Sequence, residues 1–277
     1  MKNYCYFNGK ITTLEKIKIS PYDLGVLRGY GVFDVMRAQN GKPFLFDEHW
    51  KRFVNSADEL NLKIPINKKK YKILVELLLK KNHFKESIIR TVMTGGISEN
   101  GFLYSPKKET FYIIIEKFQP LPEEIFKNGA AVMTVEYERH IPHAKITNYV
   151  MAIKNQEVRI KNNALEIIYV KDGKALEAST SNFFIVKEGK IITPKEKILL
   201  GTTRNLSLKI AQKAGYKVQE REVKTEEIYS ADEMFLTATN KDIVPVVKVD
   251  GKRIGTGKVG KITEVRMSDF GDFVKNC

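Results

Sequence analysis

Apolar residues recur along this chain with two different periods, and the change of period marks where strands give way to helices. Residues 4–12 (YCYFNGKIT) and 31–46 (GVFDVMRAQNGKPFLF) each read as β-prone runs joined through an Asn-Gly pair, Asn8-Gly9 and Asn40-Gly41, which tight hairpin turns favour. Beyond them, Trp50, Phe53, Ala57 and Leu60 recur at steps of three and four, which predicts a helix capped by Asp47. Tyr71, Leu74, Leu77 and Leu78 predict a second helix. SIIRTVMTG (87–95) and ETFYIIIEKF (109–118) have the length and apolar content of buried strands.

The chain is therefore expected to open with a small α+β domain over 1–117. The segment 118–124 (FQPLPEE), with its two prolines, is the expected linker. From 125 to 277 a larger mixed α/β domain is expected, in which strands such as 165–170 (LEIIYV) and 182–186 (NFFIV) turn at Asp172-Gly173 and Glu188-Gly189. Helices are predicted at about 148–161, 203–214 and 259–274, the second of them begun by Thr202 and Thr203 and ended by Gly215. The fold class is α/β (α+β) in two domains.

Composition narrows the function. Hydrophobic residues at 43% and charged residues at 29% describe a folded chain, and the longest apolar runs fall well short of the roughly 18 residues of a membrane span. No membrane partner is expected, and the opening residues lack the apolar core of a secretory signal, which points to a cytoplasmic protein. Cys5 and Cys277 stand at opposite ends without ligand-like spacing, so neither a disulfide framework nor a zinc site is indicated. The net charge of +14 comes from lysines spread in short runs such as Lys68 to Lys70, the pattern of a solvated surface and not of a nucleic-acid-binding face.

Three motifs fail on their own chemistry. In GTGKVGK (255–261) the position that should offer magnesium a hydroxyl is Ile262, and the chain ends too soon for a nucleotide-binding sheet; the glycines read as a loop before the last helix. His140 and His143 flank Ile141-Pro142, which forbids the helical geometry of a paired ligand set, so no metal site is expected. No GxSxG elbow is present for serine hydrolysis.

Four segments carry more: PHAKITNYV (142–150), GKALEASTSNFF (173–184), ILLGTTR (198–204) and FLTATNKDIVPV (235–246). Read alone, Lys145 is one surface lysine among many. Together the segments provide a lysine, a carboxylate and a helix start with backbone donors, which are the parts needed to hold a cofactor by a Schiff base, a ring nitrogen and a phosphate. In this order they resemble the fold type IV (class IV) pyridoxal-phosphate aminotransferases, which include D-amino-acid aminotransferases, branched-chain aminotransferases and aminodeoxychorismate lyase. Residues 27–53 (LRGYGVFDVMRAQNGKPFLFDEHWKRF) are similar to the N-terminal part of that family.

The resemblance implies a two-domain fold type IV enzyme, pyridoxal 5'-phosphate as cofactor, amino acids and 2-oxo acids as partners, ping-pong transamination and a homodimer. It implies that Lys145 carries the cofactor and moves the substrate Cα proton, that Glu177 faces the pyridine nitrogen and that Arg52 grips the phosphate. It further assigns Thr202, Thr203 and Thr239 to the phosphate and Leu199 to the ring face; capping and core packing remain open for these four.

Substrate class is less sharply marked. At the position where D-amino-acid aminotransferases typically carry a carboxylate-binding arginine, this chain has Thr94. Arg28, Tyr30 and Arg90 are the candidate substrate contacts, Arg90 because an arginine in an apolar strand needs an anion, either internal or from substrate. Asn148, three residues after Lys145, follows the D-amino-acid enzymes and the lyase, whereas the SIIR element ending in Arg90 resembles branched-chain enzymes. Ile146 and Tyr149 depart from the lyase pattern. The expectation is a D-amino-acid aminotransferase with atypical carboxylate recognition, then a branched-chain enzyme, then the lyase.

Overall fold

The computed structural model describes residues 3–275 and divides into two compact units. One runs to Gln119 and also takes Ala144–Asn148; the other takes Pro120–His143 and continues from Tyr149. Cys277 lies outside the described residues, and Cys5 is a buried free thiol.

The first unit holds strands β1 (Tyr4–Phe7) and β2 (Lys10–Thr13), helix α1 (Leu24–Arg28), strands β3 (Gly31–Gln39) and β4 (Lys42–Pro43), helices α2 (Phe46–Glu59) and α3 (Lys68–Asn82), and strands β5 (Glu86–Thr94) and β6 (Thr110–Lys117). Its sheet has the order β2-β1-β6-β5-β3-β4, with β3 antiparallel to β5 from Gly31↔Thr94 to Gln39↔Glu86. Val32, Met36 and Ala38 of β3 join Ile89 and Met93 of β5 in one core with Phe53 and Ala57 of α2 and Val75 and Leu78 of α3. The period-two pattern of β3 places Asp34 among these inward positions, and it is buried.

Three local expectations shift. Helix α2 begins at Phe46 behind Leu45, whose φ of 53° is left-handed, so Asp47 sits in the first turn instead of at the cap. Its charge still suits that helix end. On α3 the buried face carries Val75 and Leu79 together with Tyr71, Leu74 and Leu78, while Leu77 is exposed; Asn67 caps the helix, accepting from the Lys70 N–H at 2.9 Å. The β4 arm of the second predicted hairpin is reduced to Lys42–Pro43, since proline cannot donate to a ladder.

The second unit holds α4 (Glu123–Asn128), β7 (Ala130–Glu136), α5 (Val150–Lys154), α6 (Gln156–Lys161), β8 (Ala164–Lys171), β9 (Lys174–Ala178), β10 (Asn182–Lys187), β11 (Lys190–Thr193), α7 (Thr202–Lys213), β12 (Val218–Glu220), β13 (Val223–Lys224), α8 (Thr225–Tyr229), β14 (Glu233–Ala238), β15 (Asp242–Val249), β16 (Lys252–Arg253) and α9 (Lys261–Lys275). Its sheet runs β12-β11-β10-β14-β15-β7-β8-β9-β13, with β16 beside β15. Mixed pairing follows from the connections: β7 lies parallel to β8 across the α5–α6 crossover, while β14 and β15 are antiparallel neighbours. The single helix expected over 148–161 is broken at Asn155, and the GTGKVGK glycines form the loop before α9, with Gly255 and Gly257 at positive φ.

The domain boundary also differs from the sequence expectation. The chain changes unit after Gln119, inside the expected linker, but that linker does not stay irregular: Glu123 and Glu124 already belong to α4 and Leu121 packs on the second core. Ala144–Asn148 returns to the first unit because its backbone pairs alongside β3, with Ile146 bridging Val32 and the Thr147 N–H donating to the Gly31 carbonyl at 2.9 Å. Among the described residues no helix is long and apolar enough to cross a membrane.

Candidate active site

Lys145 is fixed by both of its main-chain polar groups. Its carbonyl accepts from the Phe33 N–H at 2.9 Å, and its N–H donates to Ser56 Oγ at 2.9 Å. Ser56 Oγ donates in turn to the Arg52 carbonyl at 2.8 Å, so one buried hydroxyl joins the lysine segment to the helix turn that bears Arg52. The Lys145 ammonium lies 4.6 Å from the Phe33 ring centroid.

Arg52 is held by Asp34. Its Nε donates to Asp34 Oδ2 at 2.7 Å and one terminal nitrogen to Oδ1 at 3.0 Å, a two-bond fork. His49, one helical turn before Arg52 and also buried, lies with Nδ1 2.6 Å from Asp34 Oδ1. Burial alone would raise the Asp34 carboxyl, but Arg52 and His49 beside it hold it well below the ordinary carboxylate range. Burial pushes His49 down, against the pull of Asp34 and helped by Arg52 and Lys145. Among the described residues Arg52 Nη1 has no partner, which leaves a donor for an anion.

The candidate substrate residues of this unit differ in their freedom. Arg28, exposed at the end of α1, stacks over the Phe102 ring at 4.1 Å. The Tyr30 hydroxyl donates to the Leu60 carbonyl and its ring meets Tyr104 edge-on at 5.9 Å, and burial pushes its phenol up. Of the two anions open to Arg90, the structure shows the internal one: Nε donates to Glu116 Oε2 at 2.9 Å on a half-exposed sheet face. Thr94 is committed elsewhere, donating at 2.7 Å to the buried Asp23, which also takes the Gly25 N–H at 2.7 Å and so caps α1.

In the second unit Glu177 is buried at the end of β9 with both oxygens engaged. Oε1 accepts from Arg139 Nε at 2.7 Å, with side-chain exposures of 7% and 11%, and Oε2 accepts from the Leu199 N–H at 2.9 Å. Asn182 then organises the approach to α7: its Nδ2 donates to the Leu199 carbonyl at 2.8 Å and its Oδ1 accepts from the Gly201 N–H at 3.2 Å. A side chain on Gly201 would collide with Asn182 Oδ1, which is why glycine precedes this helix. Thr202 and Thr203 form the buried first turn of α7, where backbone donors and the helix dipole favour an anion. Thr239 follows β14, half-buried, and the nearby Thr237 Oγ1 is buried without a partner.

Behind these segments lies a charge pair that the sequence did not reveal. Buried Glu166 of β8 is paired with Lys241, accepts from the Thr180 N–H at 2.8 Å and from Ser179 Oγ at 3.2 Å, and also takes the Ser181 hydroxyl. Lys241 also donates to Thr180 Oγ1 at 2.7 Å. Burial raises the Glu166 carboxyl, yet Lys241 and these donors bring it below its ordinary value. Sequence pattern singles out none of Asp34, His49, Ser56, Arg139, Asn182, Glu166 and Lys241, although a charged residue at an inward position of a strand, as at Asp34 and Glu166, is a sign of buried pairing. Among the described residues no group of histidine, cysteine and carboxylate side chains could hold a metal ion.

A model of the family described as amino-transferase class IV matches residues 31–249. A protein of Methanocaldococcus jannaschii, provisionally named a branched-chain-amino-acid aminotransferase, is 32% identical over 96% of this chain and 95% of its own. The D-alanine aminotransferase of Staphylococcus aureus is 29% identical over 98% of both chains. Among solved structures, the T.th. branched-chain amino acid aminotransferase with pyridoxamine 5'-phosphate superimposes with a TM-score of 0.91 at 26% identity, covering 99% of this chain and 94% of that one.

Proposed function

This chain belongs to the class IV aminotransferase family, and from that premise we propose that it moves an amino group between a D-amino acid and a 2-oxo acid, with pyridoxal 5'-phosphate as cofactor. The residues present fit that group. Lys145 offers an amine, Arg52 a cation with a spare donor, α7 a buried first turn, and Glu177 a buried carboxylate whose charge Arg139 balances. The single observation that carries the reading is the Ser56 hydroxyl, which ties the Lys145 and Arg52 main chains together in a fixed relation.

When bound, the cofactor supplies a ring that accepts negative charge from the substrate Cα. Lys145 is the residue proposed to hold it covalently and to take and return the Cα proton. Glu177, paired with Arg139, would face the pyridine nitrogen of the bound cofactor, and Leu199 would face its ring. Arg52 in the first unit, and the Thr202 and Thr203 main chain and Thr239 in the second, are the residues that would hold the phosphate on this reading. Arg28 is the proposed contact for the substrate carboxylate, with Tyr30 beside it; Arg90, satisfied by Glu116, enters only if substrate displaces that pair. The working unit is proposed to be a homodimer.

The D-donor is supported by the Lys145 to Asn148 spacing and by the Staphylococcus relative. A second reading, branched-chain L-amino acids, is favoured by the Methanocaldococcus relative and by the SIIR element. D-alanine, D-glutamate, L-leucine and L-glutamate added separately to the purified holoenzyme decide between them, the visible absorbance of the bound cofactor being followed. Conversion by D-donors alone is expected; conversion by L-leucine replaces this reading with the second, and no response to any donor moves the lyase forward.

A further inference from the structure

We infer that Ser56 is a positioning residue that sets the spacing between the two ends of the cofactor site, the Lys145 amine and the Arg52 cation. The inference rests on the proposed roles of those two residues and goes beyond them, because Ser56 itself holds no cofactor atom. Its hydroxyl is fully buried and is spent on two main-chain groups from segments far apart in sequence: it donates to the Arg52 carbonyl at 2.8 Å and accepts from the Lys145 N–H at 2.9 Å. A serine bonding back to the carbonyl four residues earlier is ordinary within a helix. Its second bond is not, since it reaches a peptide outside the helix whose carbonyl is already fixed by the Phe33 N–H at 2.9 Å. Removing the hydroxyl thus frees the one end of the Lys145 peptide that β3 does not hold.

A spacing device matters only to a ligand gripped at both ends. A ligand joined to Lys145 and also held by Arg52 loses affinity when the two anchors lose their register, whereas one held at a single end adapts. Pyridoxal 5'-phosphate and phosphate-free pyridoxal are that pair of probes. Loss of the Lys145 to Ser56 bond is expected to weaken the two-ended ligand by about tenfold, the scale of one buried hydrogen bond, and the one-ended ligand by less than about twofold.

The test titrates the apoprotein with each probe, read by visible absorbance and by quenching of Trp50, the sole tryptophan, two residues from Arg52. Ser56→Ala is expected to lower the preference for the phosphorylated probe, Ser56→Cys, which keeps the volume with a weaker bonding group, is expected to fall between it and the parent, and Ser56→Ala is expected to add nothing once Arg52→Gln is present. Equal weakening of both probes, or no change in either, overturns the inference, and the isosteric Ser56→Cys decides the matter in the same way should Ser56→Ala not fold. Arg52→Gln separates the two levels: if it leaves the preference intact, the phosphate role of Arg52 falls and the inference with it; if it abolishes the preference while the Ser56 variants do not, only the inference falls.

Discussion

At the scale of single residues, the main chain of Lys145 is held on both sides, by the Phe33 N–H and by Ser56 Oγ, independently of its side chain. Lys145, Glu177 and Arg52 stand in motifs with a characteristic order, so the sequence singles them out. Asp34, Ser56 and Arg139 act by long-range pairing, to Arg52, to the Lys145 peptide and to Glu177, and no local pattern announces such a pairing. Arg90 shows the converse, since its strand context demanded an anion but could not say that Glu116 on the neighbouring strand supplies it. The plainest expectation at this scale concerns Lys145. Replacing it by alanine removes the amine while leaving the main-chain bonds to Phe33 and Ser56 in place. Lys145→Ala should therefore fold with an unchanged melting temperature, lose the visible absorbance of covalently held cofactor, and lose transamination by at least about 100-fold, the usual worth of a positioned proton-transfer group. Turnover comparable with the parent would sink the assignment of this lysine.

At the scale of elements, strand and helix positions were largely legible from apolar period, while breaks and starts were not. The helix expected over 148–161 is interrupted at Asn155, and α2 starts one residue before its expected cap because Leu45 adopts a left-handed conformation that no propensity scale favours. The turn between β9 and β10 owes its shape to a partner in another strand: Glu166 of β8 gathers Ser179, Thr180 and Ser181 and is neutralised by Lys241 after β14. That turn separates Glu177 from Asn182, so the pair braces two of the segments proposed to hold the cofactor. Glu166→Ala leaves the Lys241 ammonium buried without its counter-charge and is expected to cost about 3–5 kcal/mol, whereas the double change Glu166→Leu with Lys241→Met should restore most of it. Denaturant unfolding of the two variants checks this, and a double variant no more stable than the single one would show that the ionic character itself, not its pairing, is needed.

At the scale of the whole molecule, the chain divides into two units with separate cores, and it does not pass from one to the other only once. Period and composition are read along the sequence, and the return of Ala144–Asn148 to the first unit depends on Ile146 pairing with Val32, which lies in a strand read long before. Each unit also holds a buried carboxyl below its ordinary range, Asp34 in the first and Glu166 in the second, and the first adds a buried imidazole lowered by burial. These groups give the molecule an acid side with two steps of the same sign. His49 is lowered from 6.5, so below that value the unfolded chain takes up a proton that the folded one refuses, and stability falls as pH drops from 6.5 toward the folded value. Asp34 and Glu166 are lowered from 3.8 and 4.5, so their contribution is complete above those values and is lost as pH falls through the folded ones. The steepest loss from a single group is about 1.4 kcal/mol per pH unit. Trp50 is next to His49 in α2, so denaturant unfolding followed by its fluorescence reports the first step directly. In the parent the unfolding midpoint should hold constant from about pH 8 to about pH 7 and then decline by about pH 5, while His49→Gln, which keeps a donor for Asp34 without a titrating ring, should stay level across that range. A decline of equal slope in both proteins would place the titrating group elsewhere and remove His49 from the account of how this unit keeps Arg52 in place.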